Sequence, residues 1–128
     1  MPDWKPKGYN SASPYLIVSD AKATLLFLQA VFGADTLRLI PRENGTLMHA
    51  EARIDDTVVM FADAVEGWPA VPGHVHVYVP DVDATYQRAL AAGGNSVAEP
   101  AKKDSDEDRR CGVRDPGGTT WWLATQVG

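Results

Sequence analysis

The sequence predicts an α+β fold made of two tandem βαβββ modules, a mixed sheet with its helices on the outer face. Three observations carry that reading. The chain repeats itself, because placing Val18 on Val79 also places Asp20 on Asp81 and Gly33 on Gly94. In each copy a short apolar run leads into an aspartate and then into a helical pattern. The segments after each helix alternate apolar and polar residues, as strands with one buried face do.

In chain order, Tyr15–Val18 is the first strand. Asp20 suits a helix N-cap, since its carboxylate can accept from unpaired backbone N–H groups at the helix start. Ala21, Leu25, Leu28 and Phe32 follow at helical spacing, and Gly33 can take the left-handed conformation that ends the helix. Residues 36–40 are a second strand. Asn44-Gly45 is a favoured hairpin turn, because both residues tolerate positive φ. Leu47–Ile54 and 57–62 are the third and fourth strands, joined by Asp55-Asp56. The second copy opens with a strand over 75–79. Asp81 then caps a helix whose stripe is Val82, Tyr86, Ala89 and Leu90, and Gly93-Gly94 ends it. Strands over 96–98, 108–113 and 119–125 complete the module. Asp115-Pro-Gly-Gly118 is a turn, with Pro fixing φ and Gly supplying positive φ.

These elements divide the chain into an N-terminal arm (1–10), a first module (11–66), a proline-stiffened connector (67–73) and a second module (74–128). The arm reads as extended and polar, with Trp4 tacked onto the surface. A length of 128 residues suits one domain. With 17 acidic against 12 basic side chains, the net charge of −5 argues against a nucleic-acid surface. No apolar run is long enough to cross a bilayer, so no membrane partner is expected. Cys111 is the only cysteine, which suits a reducing cytoplasm, and a small buried strand residue is its expected role. The mixed-charge stretch 102–108 reads as a solvated loop.

Alternation also sorts the strand side chains. Met48, Ala50, Ala52 and Ile54 face the first helix, leaving His49, Glu51 and Arg53 on the opposite face. Val75, Val77 and Val79 face the second helix, and His74, His76 and Tyr78 point away together with Trp122. This non-helix face is too polar for a dry core and too aromatic for a plain solvated surface. A small-molecule pocket has that character. The competing reading is a subunit interface in which these groups satisfy one another.

The pattern YLIVSDA…FLQAVFGAD…MHAEARIDDTVVMFAD…VHVYVPDVDATYQRALAAGG…DRRCGVRDPGGTTWWLAT resembles the glyoxalase/bleomycin-resistance/dioxygenase, or vicinal oxygen chelate, superfamily, and within it the PhnB-like branch. The resemblance spans residues 11–127. It implies paired βαβββ modules, each curling a sheet into a half-open cup, and assembly as a homodimer. Metal-using members hold a divalent ion with four His, Glu or Gln ligands, and the matching positions here are Ser13, Met60, His74 and Trp122. Only His74 is an ordinary ligand, since methionine is too soft for hard divalent ions and tryptophan offers no lone pair. The resemblance therefore implies a cup without the usual cofactor metal and without glyoxalase I activity. An alternative divalent site would use His74 and His76, spaced on one face of a strand, with Glu51.

The function expected from these readings is binding of a small planar or aromatic molecule in a metal-free cup. Trp122 and Tyr78 would stack on it, with His49, Glu51, Arg53, Met60, His74, His76 and Arg110 around it. The alternative is a lyase or isomerase working beside a carbonyl. It would use the displaced metal or acid–base chemistry by His49, Glu51, His74 or His76.

Overall fold

The computed structural model describes residues 3–128. Its elements run β1 (Tyr15–Val18), α1 (Ala21–Phe32), β2 (Asp35–Pro41), β3 (Leu47–Ile54), β4 (Thr57–Asp63), β5 (His74–Tyr78), α2 (Val82–Ala91), β6 (Asn95–Lys102), β7 (Asp108–Arg114) and β8 (Thr120–Gln126). They form two four-stranded mixed sheets of identical topology, β1-β4-β3-β2 and β5-β8-β7-β6. In each, the first strand lies parallel to the last and the other pairings are antiparallel. This is the tandem βαβββ fold that the repeat predicts.

The repeat is clearest at the helix starts. Asp20 and Asp81 are both extended N-caps, and each accepts a 3.1 Å hydrogen bond, from Ala23 N and Ala84 N. Such a cap contributes about 1 kcal/mol. One position beyond those donors, the Thr24 and Thr85 hydroxyls donate back to the Asp20 and Asp81 carbonyls. The helix ends differ. Gly33 is a left-handed C-cap, φ 63°, whereas α2 ends on Ala92 and Gly93 takes the positive φ of 97°. Gly94, the sequence counterpart of Gly33, serves close packing instead, since a Cβ there would lie 2.4 Å from Val113 Cγ1.

Both helices pack into one hydrophobic core shared by the two modules. Phe32 meets Trp121 at 5.6 Å between centroids, and Arg88 of α2 donates to the Val31 carbonyl of α1 at 3.2 Å. Several sequence expectations shift in register. The buried face of α1 is Ala21, Thr24, Phe27, Leu28 and Val31, with Leu25 and Phe32 only half-buried, because α1 meets α2 as well as its own sheet. Met48 has the parity of the helix face but is 49% exposed, lying at the strand's start beyond the helix's cover. In the β2–β3 turn only Gly45 adopts positive φ, while Asn44 acts through its side chain, accepting from Thr46 N at 3.0 Å. β6 runs on to Lys102 through two register shifts, which shortens the charged loop.

Candidate functional site

The polar strand faces carry two separate clusters, one on each sheet. On the first, Glu51 points from β3 away from α1 and is only 2% exposed. Its Oε2 lies 2.7 Å from His49 Nε2, and its Oε1 accepts from the Tyr9 hydroxyl at 2.5 Å. Burial pushes the Glu51 carboxyl up, but the hydrogen bonds from Tyr9 and His49 outweigh it and hold it below the ordinary carboxylate range. The bond to Glu51 in turn raises Tyr9. His49 Nδ1 lies 3.4 Å from the Tyr15 hydroxyl. Arg53 donates to the Gly8 carbonyl at 3.1 Å, and Met60 sits opposite Glu51 in the β3–β4 register.

The N-terminal arm is thus more than a polar extension. Tyr9, Gly8 and Asn10 bind it to the first sheet, Asn10 accepting from Val58 N at 2.8 Å. Trp4 is 85% exposed, and residues 1–2 lie outside the described residues.

On the second sheet, Arg110 is the hub. It donates from Nε to Asp106 at 2.6 Å and from Nη2 to Asp108 at 2.8 Å, and its Nη1 lies 2.6 Å from His76 Nε2. Asp108, buried at the start of β7, also accepts from the Tyr78 hydroxyl at 2.7 Å, which raises the Tyr78 phenol. The acidic stretch therefore does not behave as a wholly solvated loop: Asp106 and Asp108 fold back onto Arg110. Tyr78 remains 63% exposed, its ring packed at a steep angle against His76 with 4.8 Å between centroids.

Trp122 is half-buried on the same face. Its Nε1 donates to His74 Nδ1 at 3.0 Å, and the two rings lie within 10° of parallel. Gly112, directly across on β7, makes this possible, since a Cβ there would come within 2.6 Å of the indole. Gly112→Ala is expected to push the indole off the sheet and break the bond to His74. A blue-shifted or red-shifted emission in wild type minus Gly112→Ala spectra, absent when Trp122 is replaced, checks this. Beside Trp122 lies a cavity of about 210 Å³ bounded by Ala98, Glu99, Asp106 and Arg110. Cys111 is buried on the other face, and burial raises its thiol to about 11, so it is unreactive.

Residues 10–123 match the Glyoxalase/Bleomycin resistance protein/Dioxygenase superfamily. The chain belongs to that superfamily. An uncharacterized protein of Mycobacterium tuberculosis (strain H37Rv) is 36% identical over 127 residues, covering 90% of this chain and 74% of the relative. The crystal structure of TioX from Micromonospora sp. ML1 superposes with a TM-score of 0.74 at 27% identity, covering 91% of this chain and 99% of TioX. A glyoxalase-related enzyme from Fulvimarina pelagi shares the fold, with a TM-score of 0.71 at 21% identity over 91% of this chain and 87% of that one.

The positions that hold a divalent ion in metal-using members of the superfamily do not fit one here. Met60 offers a thioether, Trp122 offers no lone pair, and His74 Nδ1 already accepts from that indole. Ser13 Oγ is buried and has no hydrogen-bond partner among the described residues, yet a lone hydroxyl is a poor anchor. The alternative trio is not brought together either. Glu51 lies on the first sheet with both oxygens engaged, while His76 on the second faces the Arg110 guanidinium. Among the described residues no group of three or more His, Cys, Asp or Glu side chains is placed to hold a metal.

Sequence reasoning missed Tyr9, Asp106, Asp108 and Gly112. Only Gly112 left a signal, a glycine inside a predicted strand, which marks a close approach.

Proposed function

We propose that this member of the superfamily binds a small planar or aromatic molecule against the polar face of the second sheet, without a metal ion. The supporting observation is Trp122. Its indole packs closely against Gly112 and is held by the hydrogen bond to His74. An immobilised ring loses little entropy on binding, and offset stacking contributes about 0.5–1.5 kcal/mol beyond the area it buries. Arg110 and Asp106, at the rim of the adjoining cavity, would fix polar substituents of either charge. A homodimer, expected for this fold family, would supply a facing wall to this open face.

The test is a titration with planar amphiphiles such as proflavine, followed by tryptophan fluorescence. Trp122→Ala is expected to weaken binding at least tenfold with little change in thermal stability, since Trp122 is only half-buried. A Trp122→Ala protein that binds as tightly as wild type removes the platform from the site and the reading with it.

A second reading, a metal-free lyase or isomerase, draws on His49. Its contact with the buried Glu51 carboxylate orients the imidazole as general bases are oriented in acid–base enzymes. Its check is turnover of α-hydroxycarbonyl substrates lost in His49→Gln and retained in Trp122→Ala.

A further inference from the structure

We infer that the helix side of the junction between the two modules holds a second binding site, for a small zwitterion with an apolar body, such as an apolar amino acid. A cavity of about 540 Å³ opens there, a size that suits a small molecule. Buried Val31 of α1, Ile54 of β3 and Thr85 of α2 form its deepest lining, and half-buried Phe32, Val77 and Val79 add apolar wall. The cavity is separate from the polar strand faces. Val77 and Val79 have the helix-side parity of β5, and of the side chains expected around the cup only Tyr78 reaches this lining, with its hydroxyl spent on Asp108.

Charge decides the class of ligand. The lining holds one cation, Arg88 of the second module, and one carboxylate, Asp55 of the first, and they are not paired with each other. Arg88 donates from Nε to the Val31 carbonyl at 3.2 Å and from Nη2 to the Thr85 hydroxyl at 3.1 Å. Those two bonds aim the guanidinium but leave Nη1 without a partner and the charge without a carboxylate among the described residues. Asp55, in the β3–β4 turn at φ 51°, has neither a side-chain hydrogen bond nor an ion pair among the described residues, whereas its neighbour Asp56 accepts from the Thr57 hydroxyl at 2.8 Å. An anion entering the cavity would meet Asp55, and a cation would meet Arg88. A molecule carrying both charges satisfies both, its carboxylate on Arg88 and its ammonium on Asp55. Phe32, Val77 and Val79 would cover the apolar body.

This site does not rest on the reading of Trp122, and a non-aromatic probe keeps the two apart. Calorimetric titration of the full chain with L-leucine, at low ionic strength, is compared with leucinamide, which lacks the carboxylate, and N-acetylleucine, which lacks the ammonium. Leucine is expected to bind at least tenfold more tightly than either. Asp55→Asn, whose side chain tolerates the positive φ of the turn, is expected to bind leucine no better than N-acetylleucine. Arg88→Gln is expected to bind leucine no better than leucinamide while holding leucinamide as wild type does, which a disrupted junction would not. Trp122→Ala should leave the preference for leucine intact. Wild type that binds no leucine, or binds all three compounds alike, overturns the site. So does an Asp55→Asn protein that keeps the full preference, or a Trp122→Ala protein that loses it.

Discussion

Replacing Asp115 by alanine is expected to lower the unfolding free energy by about 3–5 kcal/mol, a loss that only the removal of a buried hub produces. Asp115 is 3% exposed. Its Oδ1 accepts from Gly117 N at 2.8 Å and from Thr119 N at 3.1 Å, and its Oδ2 accepts from Trp121 Nε1 at 2.8 Å. Alanine would leave those three donors in the interior without partners, at about 1–3 kcal/mol each, partly relieved by water entering the turn. Trp121, fully buried and packed on Phe32, would carry the damage from the β7–β8 turn to the junction between modules. Asp115→Asn is the control. Its carbonyl can still serve the two backbone donors, but its amide cannot accept from the indole, so an intermediate loss is expected. Denaturant unfolding followed by circular dichroism measures both, and a loss under 1 kcal/mol in the alanine variant contradicts the account.

What was legible in the sequence was what local physics determines. An aspartate before an apolar stripe is a helix cap wherever it lies, and Asp20 and Asp81 both are. Strict alternation separates two faces, and the parity predicted for His49, Glu51 and Arg53 against Ala50, Ala52 and Ile54 is the parity found. Parity does not reveal depth, however. Met48 lies on the predicted side but outside the reach of α1, and Glu51 lies on the polar side yet is almost wholly covered. The site's own wiring depends on pairs distant in the chain. Nothing in the periodicity of MPDWKPKGYN announces that Tyr9 will reach Glu51. A run of acids ordinarily signals solvent, and here Arg110 draws two of them in. Those contacts follow from how β7 and the arm are positioned by the finished sheets, which is tertiary information.

Removing the carboxylate at the centre of the first cluster is the companion expectation. Glu51→Ala is expected to cost about 2–4 kcal/mol, because it strands the Tyr9 hydroxyl and His49 Nε2 and releases the arm. Arm release has its own readout: trypsin cleavage after the exposed Lys7 should accelerate several-fold in Glu51→Ala and in Tyr9→Phe, with the sheets still folded. The pH dependence separates charge from shape. Opposed by burial but carried by its two hydrogen bonds, the Glu51 carboxyl titrates below its ordinary value of 4.5 in the folded chain. A carboxyl depressed by folding contributes stability that is complete above its unfolded value and disappears as pH falls through its folded one. The stability difference between wild type and the isosteric Glu51→Gln should therefore hold steady down to about pH 4.5 and shrink below it. At that point the protonated glutamate comes to resemble the glutamine. A Glu51→Gln protein as stable as wild type at pH 7 would mean that the shape of the side chain, rather than its charge, fastens Tyr9 to the sheet.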